Sequence, residues 1–168
     1  MIPPREVVSN DEYYMGLAFL VSSKSKDPNT QNGAIIVSAD NKPISTGYNG
    51  VPGTIKDKDV DWSRPNKYAY VHHAEDNAIW HADKKLLKGS TMYVTMHPCK
   101  NCMLDIVRAG IYKVVYFKNA TAAMLNDVEI NLSRKIAADG NVELVGYESD
   151  FNWIEQFVNN MKNKNVIK

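Results

Sequence analysis

Residues 91–117 read TMYVTMHPCKNCMLDIVRAGIYKVVYF. Thr91 to Met96 is a short β-branched, aromatic and apolar run that stops before Pro98, the pattern of a strand. Cys99 to Ala109 carries Met103, Ile106 and Val107 at helical spacing and ends at Gly110, a helix-stop residue. Lys113 to Phe117 returns to strand composition. Strands alternating with helices mean a sheet covered by helices.

The same alternation extends in both directions. Downstream, Ala122 to Ala138 predicts a helix with Leu125, Val128, Leu132 and Ile136 facing inward, stopped by Gly140, and Val142 to Tyr147 predicts the last strand. Asp150 is expected to cap a final helix with Ile154, Phe157, Val158 and Met161 on one side. Upstream, residues 74–87 predict a helix with Ala74, Ala78 and Ala82 on one face. Residues 34–38 and 44–48 flank the turn ADNKP as a hairpin, which must be antiparallel because only a tight turn joins its strands. Ser9 and Glu12 form a capping-box pattern at the head of a first helix over 10–23. The expected fold is α/β: three α-β-α layers around a mixed five-stranded sheet with an antiparallel opening hairpin. Residues 1–168 are expected to form one domain, with a core over about 10–148 and a C-terminal helix and tail over 150–168.

Between hairpin and helix lies NGVPGTIKDKDVDWSRPNKYAYVH, residues 49–72, with no helical or alternating pattern. Loops longer than about 12–15 residues are usually functional or disordered. Trp62, Tyr68 and Tyr70 favour a functional lid or interface.

The bulk numbers exclude several classes. Charged residues make up 23%, the hydrophobic set 44%, and the net charge is +1. Such a balance carries no global attraction to nucleic acid or acidic membranes. The N-terminus MIPPREVVSNDEYY has no apolar stretch behind a basic start, and the apolar run Met15 to Val21 is far short of a membrane span. Two cysteines, Cys99 and Cys102, are too few and too close for a disulfide framework, so a reducing, cytoplasmic compartment is expected.

His73-Ala74-Glu75 opens one expected helix, and Pro98-Cys99-Lys100-Asn101-Cys102 opens another. Cysteines at i and i+3 of a first turn share a face, and the partial positive charge of a helix N-terminus favours thiolate, the form a metal needs. One imidazole and two thiolates suit zinc. Three protein ligands leave a position open, as catalytic zinc sites do. Glu75 lies two residues past the histidine and is free to serve as base. Taken singly, these motifs have other readings: the cysteines as a redox pair or half of a structural zinc site, Glu75 as an acid favoured by the helix dipole. Together, H-x-E and P-C-x-x-C form the zinc-deaminase signature.

On these residues the chain resembles the cytidine deaminase superfamily. SKSKDPNTQNGAIIV (residues 23–37) and TGYNGVPG (residues 46–53) resemble its deoxycytidylate branch. The resemblance covers roughly residues 10–118. It implies a cytidine-deaminase-like fold and hydrolysis of dCMP to dUMP and ammonia, supplying dUMP for thymidylate synthesis. It implies one catalytic zinc per subunit on His73, Cys99 and Cys102, with Glu75 moving the proton from water to N3. It places the Ala74 N–H and the His97 carbonyl on the base edge and Asn49 on the sugar. It further implies a homo-oligomer, a hexamer, activated by dCTP with Mg2+ and inhibited by dTTP. Gly47, Tyr48, Asn49 and Gly50 fall in the effector region, where Trp62, Tyr68 and Tyr70 could stack on a base or pack within the loop. For the phosphate, Lys24, Ser25, Lys26, Lys118 and Asn119 are candidates, Lys26 foremost. The alternatives are a deaminase of nucleic acid (tRNA adenosine or DNA cytosine) and a non-catalytic zinc-scaffolded module. The near-neutral charge weighs against the first and the intact Glu75 against the second.

Overall fold

The computed structural model describes residues 4, 6–118 and 126–164. In chain order the elements are α1 (Asn10–Ser22), β1 (Gly33–Val37), β2 (Pro43–Tyr48), 3-10 turns at Asp57–Asp59 and Asn66–Ala69, α2 (Ala74–His81), α3 (Lys84–Leu87), β3 (Thr91–Val94), α4 (Lys100–Ala109), β4 (Lys113–Phe117), α5 (Asp127–Asp139), β5 (Glu143–Tyr147) and α6 (Asn152–Lys164). The five strands form one sheet in the order β2-β1-β3-β4-β5. β1 pairs antiparallel with both β2 and β3, while β3, β4 and β5 run parallel, so the sheet is mixed and opens on an antiparallel hairpin.

Side chains alternate across this sheet with period two. Ala34, Ile36, Met92, Val94 and Val114 face one side, packing against Ala74 and Ala78 of α2 and Met103 and Ile106 of α4. Ile35, Val37, Tyr93, Val115 and Phe117 face the other, against Tyr14, Met15 and Ala18 of α1. β1, GAIIV, is buried along its whole length because both its neighbours and both its faces are covered. Two glycines let helices approach. A Cβ on Gly33 would lie 2.1 Å from the Ala18 carbonyl oxygen, and one on Gly47 would lie 2.2 Å from that of Ala74. No helix among the described residues is long and apolar enough to cross a membrane.

The structure departs from expectation at three helices. The helix expected over 74–87 is two: Ala82 leaves helical geometry and Asp83 starts α3 by accepting from the Lys85 N–H. An Asp side chain competes well for a backbone N–H and so restarts rather than continues a helix. In α5 the inward residues are Ser133 and Ala137, while Val128 is 66% and Leu132 41% exposed. Ser133 Oγ donates to the Pro98 carbonyl at 2.8 Å, and so close an approach admits small side chains only. Ile136 packs on the core as expected; Leu125, Asn119 and the expected helix start at 122 lie outside the described residues. α6 exists, but Ile154, Phe157, Val158 and Met161 are all more than a third exposed. Trp153 Nε1 of α6 (2.6 Å) donates to the Glu12 carboxylate, as do Ser149 Oγ (2.5 Å) and Tyr147 Oη just before the helix, and Ile154 and the Trp153 ring lie over Gly16 of α1. Glu12 is therefore unavailable to the Ser9 N–H, and only half the capping box forms, Ser9 Oγ accepting from Glu12 N at 3.2 Å.

Candidate active site

His73 is the N-cap residue of α2 and Cys99 that of α4. The two helices pack side by side on the same sheet face, so their N-termini present both residues to one point. Cys102, one turn into α4, joins them. His73 Nδ1 lies 3.2 Å from Cys102 Sγ and 3.6 Å from Cys99 Sγ, and the two sulfurs are 3.6 Å apart. With zinc–nitrogen and zinc–sulfur bonds of about 2.0 and 2.3 Å, a tetrahedral centre has edges of about 3.5 Å (N–S) and about 3.8 Å (S–S). The three side chains thus already stand close to one face of a zinc tetrahedron, and they are the one such metal-ligating cluster among the described residues. The Cys102 thiol, then His73, hydrogen-bond to Cys99 and bring its thiol down to about 3, while Cys102 keeps its proton.

Glu75, in the first turn of α2, is 5% exposed. Burial pushes its carboxyl up to about 7, against the pull of His73. A carboxyl poised near neutrality can both take and return a proton. It shares with His73 and Cys99 a cavity of about 250 Å³.

The rest of that cavity comes from two loops. Asn49 is buried and fully engaged: its Oδ1 accepts from Asn32 N at 2.7 Å, and its Nδ2 donates to the Thr30 carbonyl at 2.9 Å and to Asp27 Oδ2 at 3.3 Å. Asp27 is ion-paired at 2.5 Å with Lys67, and both side chains are buried. Lys67 belongs to the 3-10 turn Asn66–Ala69, so this pair fastens the 49–72 loop over the cavity. Trp62 Nε1 donates to the Asp57 carbonyl and the Trp62 carbonyl accepts from Asn29 Nδ2, each at 3.0 Å. Trp62 therefore packs within the loop, whereas Tyr68 lines the cavity. Buried His97 also lines it; its Nδ1 meets the Pro98 carbonyl at 2.9 Å, its Nε2 has no hydrogen-bond partner among the described residues, and burial holds its pKa low.

The family model for the cytidine and deoxycytidylate deaminase zinc-binding region matches residues 8–118. The chain belongs to this family. The deoxycytidylate deaminase of Homo sapiens is 42% identical over 127 residues, 68% of this chain and 71% of the relative. A dCMP deaminase from the cyanophage S-TIM5, solved in complex with dCMP and dUMP, is 26% identical with a TM-score of 0.62 over 81% of this chain and 95% of that one. A tRNA deaminase at 21% identity and TM-score 0.58, covering 83% of this chain and 100% of that one, shares the fold. The deaminase is thus a hydrolytic enzyme of cytidine-deaminase-like architecture, and its His-Cys-Cys cluster fits the zinc of the family.

Asn49 and His97 line the same cavity as His73, Glu75 and Cys99, and Ala74, between His73 and Glu75 in sequence, is buried. Lys26 does not line the cavity; its ammonium pairs with Asp57 on the surface. Lys118 pairs with Glu148, and Ser25 Oγ donates to the Asn49 carbonyl. Gly47, Tyr48 and Gly50 border a second cavity, of about 590 Å³, between the end of β2 and the outer face of α2. Asn49 is not part of it, since its side chain turns into the first. Sequence reasoning missed Arg64 and Lys67 on the wall of the first cavity. Two cations within R-P-N-K, inside a loop whose length alone marked it as functional, were the available signal.

Proposed function

We propose that this deaminase converts dCMP and water to dUMP and ammonia. The observation that carries the reading is a buried Glu75 carboxyl, raised towards neutrality, in one cavity with His73 and Cys99. A zinc ion held by His73, Cys99 and Cys102 would supply the Lewis acidity that makes water a competent nucleophile near neutral pH. Glu75 would accept one proton of the water as its oxygen bonds to C4 and pass that proton to N3; it would then move the remaining hydroxyl proton to the amine, so that the C4–N bond breaks, ammonia leaves and a C4 carbonyl remains. The Ala74 N–H belongs to the first turn of α2, which leaves it without an intrahelical partner. It holds the base edge together with the His97 carbonyl, and the Asn49 region holds the sugar. The deoxycytidylate substrate is supported by the named relatives and by the TGYNGVPG block.

The test is ammonia release from dCMP, cytidine and a single-stranded oligonucleotide by the zinc-loaded protein. Turnover of dCMP is expected, and Glu75→Gln should keep its zinc while losing at least about 10³-fold in kcat, the order expected of an essential general acid–base. A zinc-loaded protein inert to dCMP overturns the reading, and turnover of the oligonucleotide alone would move it to the nucleic-acid deaminases.

The same reading extends to dUMP supply for thymidylate synthesis, a cytoplasmic setting, a homohexamer, activation by dCTP with Mg2+, and inhibition by dTTP. The second cavity beside Gly47, Tyr48 and Gly50 is the proposed effector site, supported by its size and its two exposed histidines, His72 and His81. Rates measured with added dCTP·Mg2+ should rise, and with dTTP fall.

A further inference from the structure

Two cationic side chains of the 49–72 loop line the catalytic cavity, and they differ in kind. Lys67 is 3% exposed, with its ammonium 2.5 Å from the Asp27 carboxylate. Its charge is spent on holding the loop. Arg64 is exposed, and its Nη2 donates to Thr30 Oγ1 at 3.1 Å. Among the described residues no carboxylate lies within 4.0 Å of its guanidinium. A guanidinium has five N–H donors in a planar fork, so the Thr30 contact leaves most of them unused while fixing the plane.

We propose that Arg64 binds the 5′-phosphate of the substrate and thereby sets the preference for nucleotide over nucleoside. This rests on the dCMP reading above. One cavity is lined both by His73, Cys99 and Glu75, the base-processing groups, and by Arg64, an uncompensated cation. A pyrimidine nucleotide carries the matching pair of groups, a neutral base and a dianionic phosphate. Arginine meets a phosphate through paired charge-assisted hydrogen bonds, which a nucleoside hydroxyl cannot return. Lys26, the foremost candidate from the sequence, pairs with Asp57 and stands off the cavity wall.

The experiment compares wild type, Arg64→Gln and Arg64→Lys on dCMP and deoxycytidine, with calorimetric binding of dUMP and deoxyuridine to the zinc-loaded proteins. Arg64→Gln should lower kcat/KM for dCMP by about 100-fold, mostly through KM, on the scale of lost charge-assisted hydrogen bonds. The deoxycytidine value should fall by less than about 3-fold. Binding of dUMP should weaken in parallel while that of deoxyuridine holds, and Arg64→Lys should recover part of both losses. Equal losses for nucleotide and nucleoside would reduce Arg64 to a strut between its loop and Thr30 and overturn the proposal. So would an unchanged dCMP value, or loss in Lys26→Ala instead. If the wild type turns over neither substrate, the dCMP reading fails by itself, and the dUMP-against-deoxyuridine comparison still decides on Arg64.

Discussion

Asp27 shows how one carboxylate can hold a loop in place. Burial by itself would raise its pKa; the hydrogen bond and charge of Lys67 and the N–H groups of Asn29 and Thr30 outweigh that and hold the carboxyl below its ordinary value. A depressed carboxyl stabilises the fold above its unfolded pKa, about 3.9, and that contribution is lost as pH falls through the lower folded value. Asp27→Asn leaves the Lys67 ammonium buried without a counter-charge, which costs about 3–5 kcal/mol when a buried pair is broken on one side. Urea denaturation should show that loss in full at pH 7, and the gap between wild type and variant should narrow below about pH 4. A gap that stays constant with pH would mean Asp27 acts through shape alone. At this scale His73, Glu75, Cys99 and Cys102 were legible because their motifs are local in sequence. Lys26 and Lys67 were not distinguishable, because which lysine turns inward depends on Asp27 and Asp57, residues brought near only by the folded loop.

At the scale of elements, the β-strands were legible to within a residue or two, since burial on both faces writes an apolar run into β1, β3 and β4. The helices were legible in existence and less so in orientation. α5 turned away its larger side chains because Ser133 sits against the Pro98 carbonyl, a contact with no signature in hydrophobic spacing. Nor does spacing reveal where a helix touches a strand backbone. Gly33 is such a place: an added methyl would fall 2.1 Å from Ala18 O and 2.6 Å from Ser22 N, both backbone atoms of α1. Gly33→Ala should destabilise by about 3 kcal/mol, the upper range for overpacking. A shifted urea midpoint with unchanged slope would show it. A loss below about 0.5 kcal/mol, the level of an indifferent site, would mean that α1 can slide away.

At the scale of the molecule, the metal ligands sit at the starts of two helices reached by separate passages of the chain across the sheet. An unfolded chain does not assemble them, so a bound zinc stabilises the native state by RT ln(1 + [L]/Kd), about 4.1 kcal/mol at a thousandfold excess over Kd. For a protein of this size about 1 kcal/mol moves Tm by roughly 2–4 °C. Chelation should therefore lower Tm by about 8–16 °C by scanning calorimetry. Cys102→Ser, lacking one ligand, should start lower and respond little to chelator. An equal Tm with and without chelator would count against zinc as a structural tie between α2 and α4. The mixed sheet, the hairpin and the covering helices were all legible from the alternation of patterns. The polar seam at Glu12, which joins α1 to β5 and α6, was not, because its partners lie at the far end of the chain.

The three tryptophans of the chain are spread over three different parts of this architecture. Trp62 sits in the loop that roofs the catalytic cavity, Trp80 stands 78% exposed on α2 beside the second cavity, and Trp153 is hydrogen-bonded to Glu12 where α6 meets α1. The protein therefore carries its own set of fluorophores. Variants retaining one indole at a time would give separate emission signals for roof, flank and C-terminal seam, without a label attached anywhere.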